Sequence, residues 1–471
     1  MATSSSHLPP LWNIFLFGFS ISILFFAFIP SQAFSTVTFG TFGAFGVILL
    51  YFCFCLSNMT APYVVKHLGI TFSMTLGAIG YIPFVLAISL RNETLFIVGS
   101  ITCGAGAALL WVGIGVSVTL LSDENTRGRR FGLFSFVNRL NFMGSLTVGI
   151  LFSTGSTRSD VFLYLTIILS LSCVVIGMFG FLVLVPLERK KLETIAEKGE
   201  PANSIMTTKD DARTDCASIL RVFTDSKFIP FLCTNFLVCG FLKGWVFAVL
   251  TTWSPDLAAV GYMMSMYGAL VVSSAPFHGW LFDYLPTLRS RTCILFVSIA
   301  AGCLGVISAF HYKLVASNID YNDYNNNTIG NSNSNSNSNN NQTSTGTKNN
   351  TKNIGFWLSV FFFGIMAGGG EAVINAGCSW LYPRTASRAF AAKLLSECFG
   401  QVCGYCVIPV LGTNYVGQLI LLSGLIFLDF CICMWGILRT GENENENVIA
   451  NANETENKKE TKTGGIVVVL A

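Results

Sequence analysis

The sequence predicts an all-α integral membrane protein of twelve transmembrane helices arranged as two six-helix halves. Three observations predict it. Of 471 residues only 11% are charged and 52% are hydrophobic, with 41 phenylalanines and a mean hydropathy of +0.60, whereas soluble domains carry roughly 25% charged residues. Apolar runs of crossing length, about 20 residues at 1.5 Å each, occur twelve times. A charged segment beginning ERKKLE separates the sixth run from the seventh.

The runs of the first half are 11–34, 40–58, 73–90, 94–121, 131–153 and 161–187. Those of the second are 227–252, 257–282, 292–313, 354–381, 389–411 and 415–438. The first ends near Ser31-Gln32-Ala33, which has the look of a signal-peptidase site, but no Lys or Arg precedes it in residues 1–10. It therefore reads as a retained helix rather than a cleaved leader.

Basic residues fix the expected orientation. Alternate connections hold Lys66, Arg127, Arg129, Arg130, seven Lys or Arg in 188–226, Arg289, Arg291, Arg384, Arg388 and four in the tail, nineteen in all. The opposite connections hold five: Arg91, Arg158, Lys313, Lys348 and Lys352. Cytoplasmic loops collect Lys and Arg, so both termini are expected in the cytoplasm. The dense stretch LSDENTRGRRFG (121–132) pins one hairpin end there, since an arginine at mid-bilayer costs about 2.5–3.5 kcal/mol on insertion scales. N-glycosylation sequons at Asn92, Asn326, Asn341 and Asn349 fall on the expected outer side, while Asn58 and Asn453 fall inside and should stay bare. The membrane itself is expected to be plasma or endolysosomal.

The organisation is then 1–187 as the N-terminal half, 188–226 as a cytoplasmic linker, 227–438 as the C-terminal half and 439–471 as a cytoplasmic tail. The outer loop 314–353 contains NSNSNSNSNNN, a polar low-complexity tract that cannot bury a core and is expected to be disordered. The 15 cysteines lie mostly within apolar runs, and Cys403 and Cys406 in CGYC have no neighbouring histidine. They read as small packing residues rather than metal ligands.

Faint symmetry relates the halves. GAGAALLWVGIG (104–115) opens the unit that ends in RGRRFG, and AGGGEAVINAGCSW (367–380) opens the unit that passes through YPRTASRAFA. Two six-helix halves joined by a cytoplasmic linker resemble the major facilitator superfamily. In such folds the binding region lies near the midplane, where corresponding helices are interrupted by glycine. The same glycines would also let helices pack closely, and the sequence leaves both readings open.

The segments SNMTAPYVVKHLGITFSMTLGAIGY (57–81), GAGAALLW, SDENTRGRRFG and GGGEAVINAGCSWLYPRTASRAFAAKLL resemble the uncoordinated-93 family of ion-channel regulatory proteins, a divergent branch of that superfamily. The resemblance covers nearly all helical regions but not the Asn-rich loop, linker or tail. Family members often carry Gln and Tyr where this chain has Ile114 and Val116, and Asp where Glu371 stands. The loop after the second run lacks the acid of typical superfamily transporters, although Asp283 is present between runs eight and nine. The resemblance implies a membrane-embedded carrier of a small solute or ion, or an accessory subunit or trafficking escort of a potassium channel or receptor.

Ionisable groups within the runs are the site candidates. Glu371 lies near mid-span with no basic residue within helical reach, so it either pairs across helices or stays protonated. Lys243 is one possible partner, or it snorkels outward past Trp245. Arg139, flanked by Asn138 and Asn141 in FVNRLN, should face the bundle interior. Asn375 follows Glu371 by one turn, and Glu397 follows Lys393 by four residues and is expected to pair with it. Trp111 is either a packing aromatic or part of a cavity lining. Asp283 with Arg289 and Arg291 could form an ionic latch at the cytoplasmic face. The sequence shows no nucleophile–base pair, metal-ligand spacing or phosphate loop, so neither catalysis nor a cofactor or metal is expected, and nucleic acid is not an expected partner. The expected partners are the lipid bilayer, a small solute or ion, and a membrane channel or receptor.

Overall fold

In a computed structural model, residues 11–121, 127–187, 189, 221–225, 228–254, 256–285, 288–330, 342–381, 386–412 and 414–463 are described. Helices make up nearly all of them. In the first half these are α1 (Leu11–Phe39), α2 (Thr41–Asn58), α3 (70–90), α4 (Glu93–Leu120), α5 (127–153) and α6 (158–187). In the second they are α7 (229–250), α8 (Leu257–Tyr284), α9 (Leu288–Gly330), α10 (Gln342–Leu381), α11 (Ala386–Leu411) and α12 (Tyr415–Thr463). A short helix, Ala61–Leu68, joins α2 to α3.

Eleven helices among the described residues are long and apolar enough to cross a membrane. The expected crossing 131–153 is instead divided into Arg127–Asn138, a 3-10 turn Arg139–Asn141, and Phe142–Ser153. The three pieces run consecutively, and the break falls on Arg139, so the polar cluster that marks the site also interrupts the helix. Similarly, α3 breaks at Gly80–Tyr81, and its second piece opens with Pro83 in the first turn, where a missing N–H is tolerated. Around Lys243, α7 is wound in wide π turns over Asn235–Leu242 and Val246–Leu250.

Helix also continues where composition predicted disorder. Within 314–353, α9 runs on to Gly330 and α10 begins at Gln342, while 331–341 lies outside the described residues. Once a turn is nucleated, each added residue gains a hydrogen bond for two fixed dihedrals, so a helix anchored in an apolar span extends into polar sequence more readily than one nucleates there. The tail part of α12 follows the same logic. The linker 190–220 and residues 464–471 also lie outside the described residues.

Each half packs chiefly on itself, and two seams join them: α2 against α11 and α5 against α8. The odd-numbered helices start on the face that carries the linker; the even-numbered ones start on the opposite face. There α4, α6, α8 and α12 are each capped by a side chain. Asn92 accepts from Leu95 N at 2.9 Å, Thr157 from Asp160 N at 3.3 Å, Asp256 from Ala259 N at 2.7 Å and Asn414 from Gly417 N at 3.0 Å. Such caps satisfy backbone donors that the helix start leaves free.

The glycines of α4 and α10 occupy corresponding places. A Cβ on Gly104 would collide with the Leu50 carbonyl of α2, and one on Gly368 with Val271 and Ser274 of α8. Likewise Gly144 of α5 abuts the Phe26 carbonyl of α1, and Gly400 of α11 abuts the Phe236 carbonyl of α7. Of the two readings left open for these glycines, close helix packing is the one the geometry supports.

Candidate functional site

Five ionisable side chains from four helices meet at mid-depth between the halves. Arg139, carried by the 3-10 turn of α5, pairs with Glu371 of α10. Glu397 of α11 receives Lys393 at 3.2 Å and, from α7, Lys243 at 3.5 Å. Gln401 Nε2 donates to the same carboxylate at 3.4 Å. Asn235 of α7 donates to the Lys393 carbonyl at 2.7 Å and Ser396 to the Leu232 carbonyl at 2.8 Å, which locks α7 and α11 together beneath the charges. Counting about 1.5 Å per residue, Glu371 lies roughly 15 Å from the linker-face end of α10.

Three of these groups are partly exposed, whereas Lys393 and Glu397 are buried. Side-chain exposure is 24% for Arg139, 18% for Glu371 and 32% for Lys243. Charges within a bilayer normally face a water-filled cavity or one another, and here they face one another.

A second layer lies nearer the face opposite the linker. Gln32 Nε2 of α1 donates to the hydroxyls of Tyr51 in α2 at 2.8 Å and of Tyr405 in α11 at 3.0 Å. The hydroxyls of Thr36 in α1 and Thr251 in α7 share a hydrogen bond at 3.3 Å, and Tyr262 of α8 donates to Ser153 of α5 at 3.1 Å. Beside them Gly261 of α8 touches the backbone of Gly149 in α5, so closely that a Cβ has no room. On the linker side, by contrast, the first piece of α5, Arg127–Asn138, packs mainly on α1 and α4 of its own half. Among the described residues, the hydrogen bonds between the halves thus gather at the face opposite the linker.

The structure brings Arg139, Glu371 and Lys243 into this region. Glu371 takes the cross-helix option through Arg139, and Glu397 pairs with Lys393 as expected. Lys243 corrects both of its expected alternatives: it neither reaches Glu371 nor snorkels, but turns along α7 to Glu397, a shorter path between neighbouring helices. Asn138 is buried beside Arg139 with its carbonyl oxygen unpartnered, and Asn375 lies one turn from Glu371, half-buried. Trp111 is not part of the cluster. Its ring lies 5.5 Å from Phe25 in an aromatic core with Phe28 and Tyr81, which is packing. Asp283, Arg289 and Arg291 fall where α8 ends and α9 begins, and their side chains lie outside the described residues, as do Asn341 and the side chains of Asn326 and Asn349.

Sequence reasoning missed three groups. Gln32 was read only within a cleavage-like tripeptide, although a lone amide inside an apolar run was itself a signal. Tyr267, buried in α8 with its hydroxyl unpartnered, gave none. Asp429 stands in the apolar run LIFLDFCIC and is fully buried, accepting from Thr234 at 2.8 Å; an acid there met the intramembrane criterion. Among the described residues no group of His, Cys, Asp and Glu could hold a metal ion.

Two six-helix halves that meet at a cluster of charges give a multi-pass helical fold of the major facilitator kind. Comparison with solved structures agrees in fold. A POT family transporter in complex with 5-aminolevulinic acid superposes with a TM-score of 0.60 over 93% of this chain and 97% of that one, at 12% identity. A peptide transporter POT in complex with sulfate gives a TM-score of 0.58 over 94% and 96%, also at 12% identity. Within that class the chain resembles the UNC-93 family: residues 38–254 match the family described as ion channel regulatory protein UNC-93. The chain is 28% identical over 172 residues to UNC93-like protein MFSD11 of Xenopus laevis, covering 34% of this chain and 39% of that one. It is 24% identical over 275 residues to UNC93-like protein 3 of Arabidopsis thaliana, covering 55% and 57%. The chain thus spans less than two thirds of the length of the curated relatives it matches.

Proposed function

We propose that the protein is a membrane carrier that moves a small solute or ion through a cleft between its halves. The observation that carries this reading is the Arg139–Glu371 pair, a mid-depth contact between halves that is partly exposed. Rocking of one half against the other would break and remake that pair. A pair in low dielectric holds strongly when formed and leaves two costly charges when broken, so separation needs a solute or proton to replace the lost partner. With the linker and tail in the cytoplasm, as the basic residues argue, the face where those hydrogen bonds gather is the outer one. The conformation described is then closed to the outside.

A second reading is favoured by the family match: an accessory subunit or escort of a channel or receptor that binds through its helices and moves nothing. One experiment separates the two. The full chain is purified, reconstituted into liposomes and offered radiolabelled amino acids, monocarboxylates and rubidium as a potassium tracer. The carrier reading expects uptake of at least one solute above protein-free liposomes, abolished by Glu371→Gln in protein that still inserts. No uptake from any class, together with co-purification of a channel from the native membrane, would replace it with the accessory reading.

A further inference from the structure

We infer that the mid-depth cluster is a binding site for a small monovalent oxyanion of carboxylate size, with Lys243 as its docking cation. The argument starts from charge. Arg139, Lys243 and Lys393 carry three positive charges, and Glu371 and Glu397 carry two negative ones. No other charged side chain among the described residues joins them; Asp429 lies elsewhere, in contact with Thr234 and Cys433. Among the described side chains one positive charge is therefore uncompensated at the depth where burying charge is most expensive. Two lysines share the one Glu397 carboxylate, and the longer of the two contacts, at 3.5 Å, belongs to Lys243. That ammonium is also the most exposed of the three cations. It is the cation an incoming solute meets first.

A second observation points the same way. The hydroxyl of Tyr267 is buried and has no hydrogen-bond partner, and the ring lies within electrostatic reach of Arg139, Glu371 and Glu397. A buried donor left unmade costs about 1–3 kcal/mol, so an unpartnered phenol in native structure calls for an acceptor. Both are linked to the same two carboxylates, Lys243 through Glu397 and Tyr267 by its electrostatic reach to Glu371 and Glu397, and an ammonium with spare charge and a hydroxyl with a spare proton each offer what a carboxylate accepts. A cation would meet carboxylates already occupied by Arg139, Lys243 and Lys393, and it would approach the unpartnered oxygens of Asn138 and Gln401 against the net positive charge of the cluster.

This assignment deepens the carrier reading and rests on it, but it is tested by binding rather than flux. Full-length protein in detergent is titrated with sodium acetate and sodium lactate, with sodium chloride and choline chloride as comparison salts, and binding is read by calorimetry. Saturable binding of acetate or lactate is expected, weakened about tenfold or more by Lys243→Met, a loss of roughly 1.4 kcal/mol, and largely retained in Lys243→Arg. Tyr267→Phe should weaken it severalfold without changing the elution volume or lowering the melting temperature of the protein. Equal binding by wild type and Lys243→Met would overturn the assignment, as would chloride binding as tightly as carboxylate, or choline binding in its place. Carboxylate binding without flux would sustain the site and remove the carrier reading. Flux of rubidium without carboxylate binding would do the reverse.

Discussion

Helices α4 and α10 occupy matching positions in the two halves and are built on matching glycines, yet only α10 carries a charge at mid-span. Gly104 lets α4 press against α2, and Gly368 lets α10 press against α8 in the same way. Three residues beyond Gly368 stands Glu371. The corresponding stretch of α4 continues through Ala107, Ala108, Leu109 and Leu110 to Trp111, all packed in an apolar and aromatic core. The wider comparison follows suit: of the five clustered charges, only Arg139 comes from the first half. The repeat therefore supplies the scaffold, and its breaking supplies the chemistry. Packing needs the same small residues in both halves because backbone approach is a geometric demand. A binding site needs no such symmetry.

The sharpest way to break this comparison is to remove its one charged bridge. Arg139→Leu alone strands Glu371 and is expected to destabilise the protein by about 3–5 kcal/mol, whereas Arg139→Leu with Glu371→Leu should recover most of that loss. Thermal melting in nanodiscs reads both, and a single variant as stable as wild type would show that the bridge does not hold the halves. A middling effect tests the scaffold. Gly104→Val and Gly368→Val should each lose about 1–3 kcal/mol by overpacking, and by similar amounts if the halves are packed alike. Gly115→Ala, where added bulk meets nothing within 4 Å, should be neutral or gain a few tenths up to about 1 kcal/mol from helix propensity. The smallest effect concerns the caps. Asn92→Ala and Asn414→Ala should each cost about 1 kcal/mol, visible as faster hydrogen exchange in the first turns of α4 and α12.

Much of the fold was legible in the sequence because crossing a bilayer is a local demand. Each span must satisfy its own backbone in hydrocarbon, so length and apolarity reveal it without knowledge of its neighbours. The exception was 131–153, where Asn138, Arg139 and Asn141 divide the span. Those residues drew attention as interior candidates, but nothing local says that they also bend the chain into a 3-10 turn. The site was only half legible. Arg139, Glu371 and Lys243 stand out as charges in apolar runs, and the Lys393–Glu397 pair follows from helical spacing. That Lys243 turns to Glu397 depends on how α7 lies against α11, through Asn235 and Ser396. Gln32 and Tyr267 acquire meaning only beside Tyr405 and the charge cluster.

By itself, then, the sequence determined that the chain crosses a membrane repeatedly in two halves, which intramembrane charges need partners, and where glycine permits close contact. The tertiary structure alone decided that Arg139 meets Glu371 across the halves, that Gln32 ties α1 to α11, and that the described hydrogen bonds between the halves gather at one face while charge collects at mid-depth. The physical reason is range. Hydropathy, helix spacing and capping act within a few turns of one segment, whereas an ion pair between residues more than two hundred positions apart exists only once helix packing has brought their backbones together.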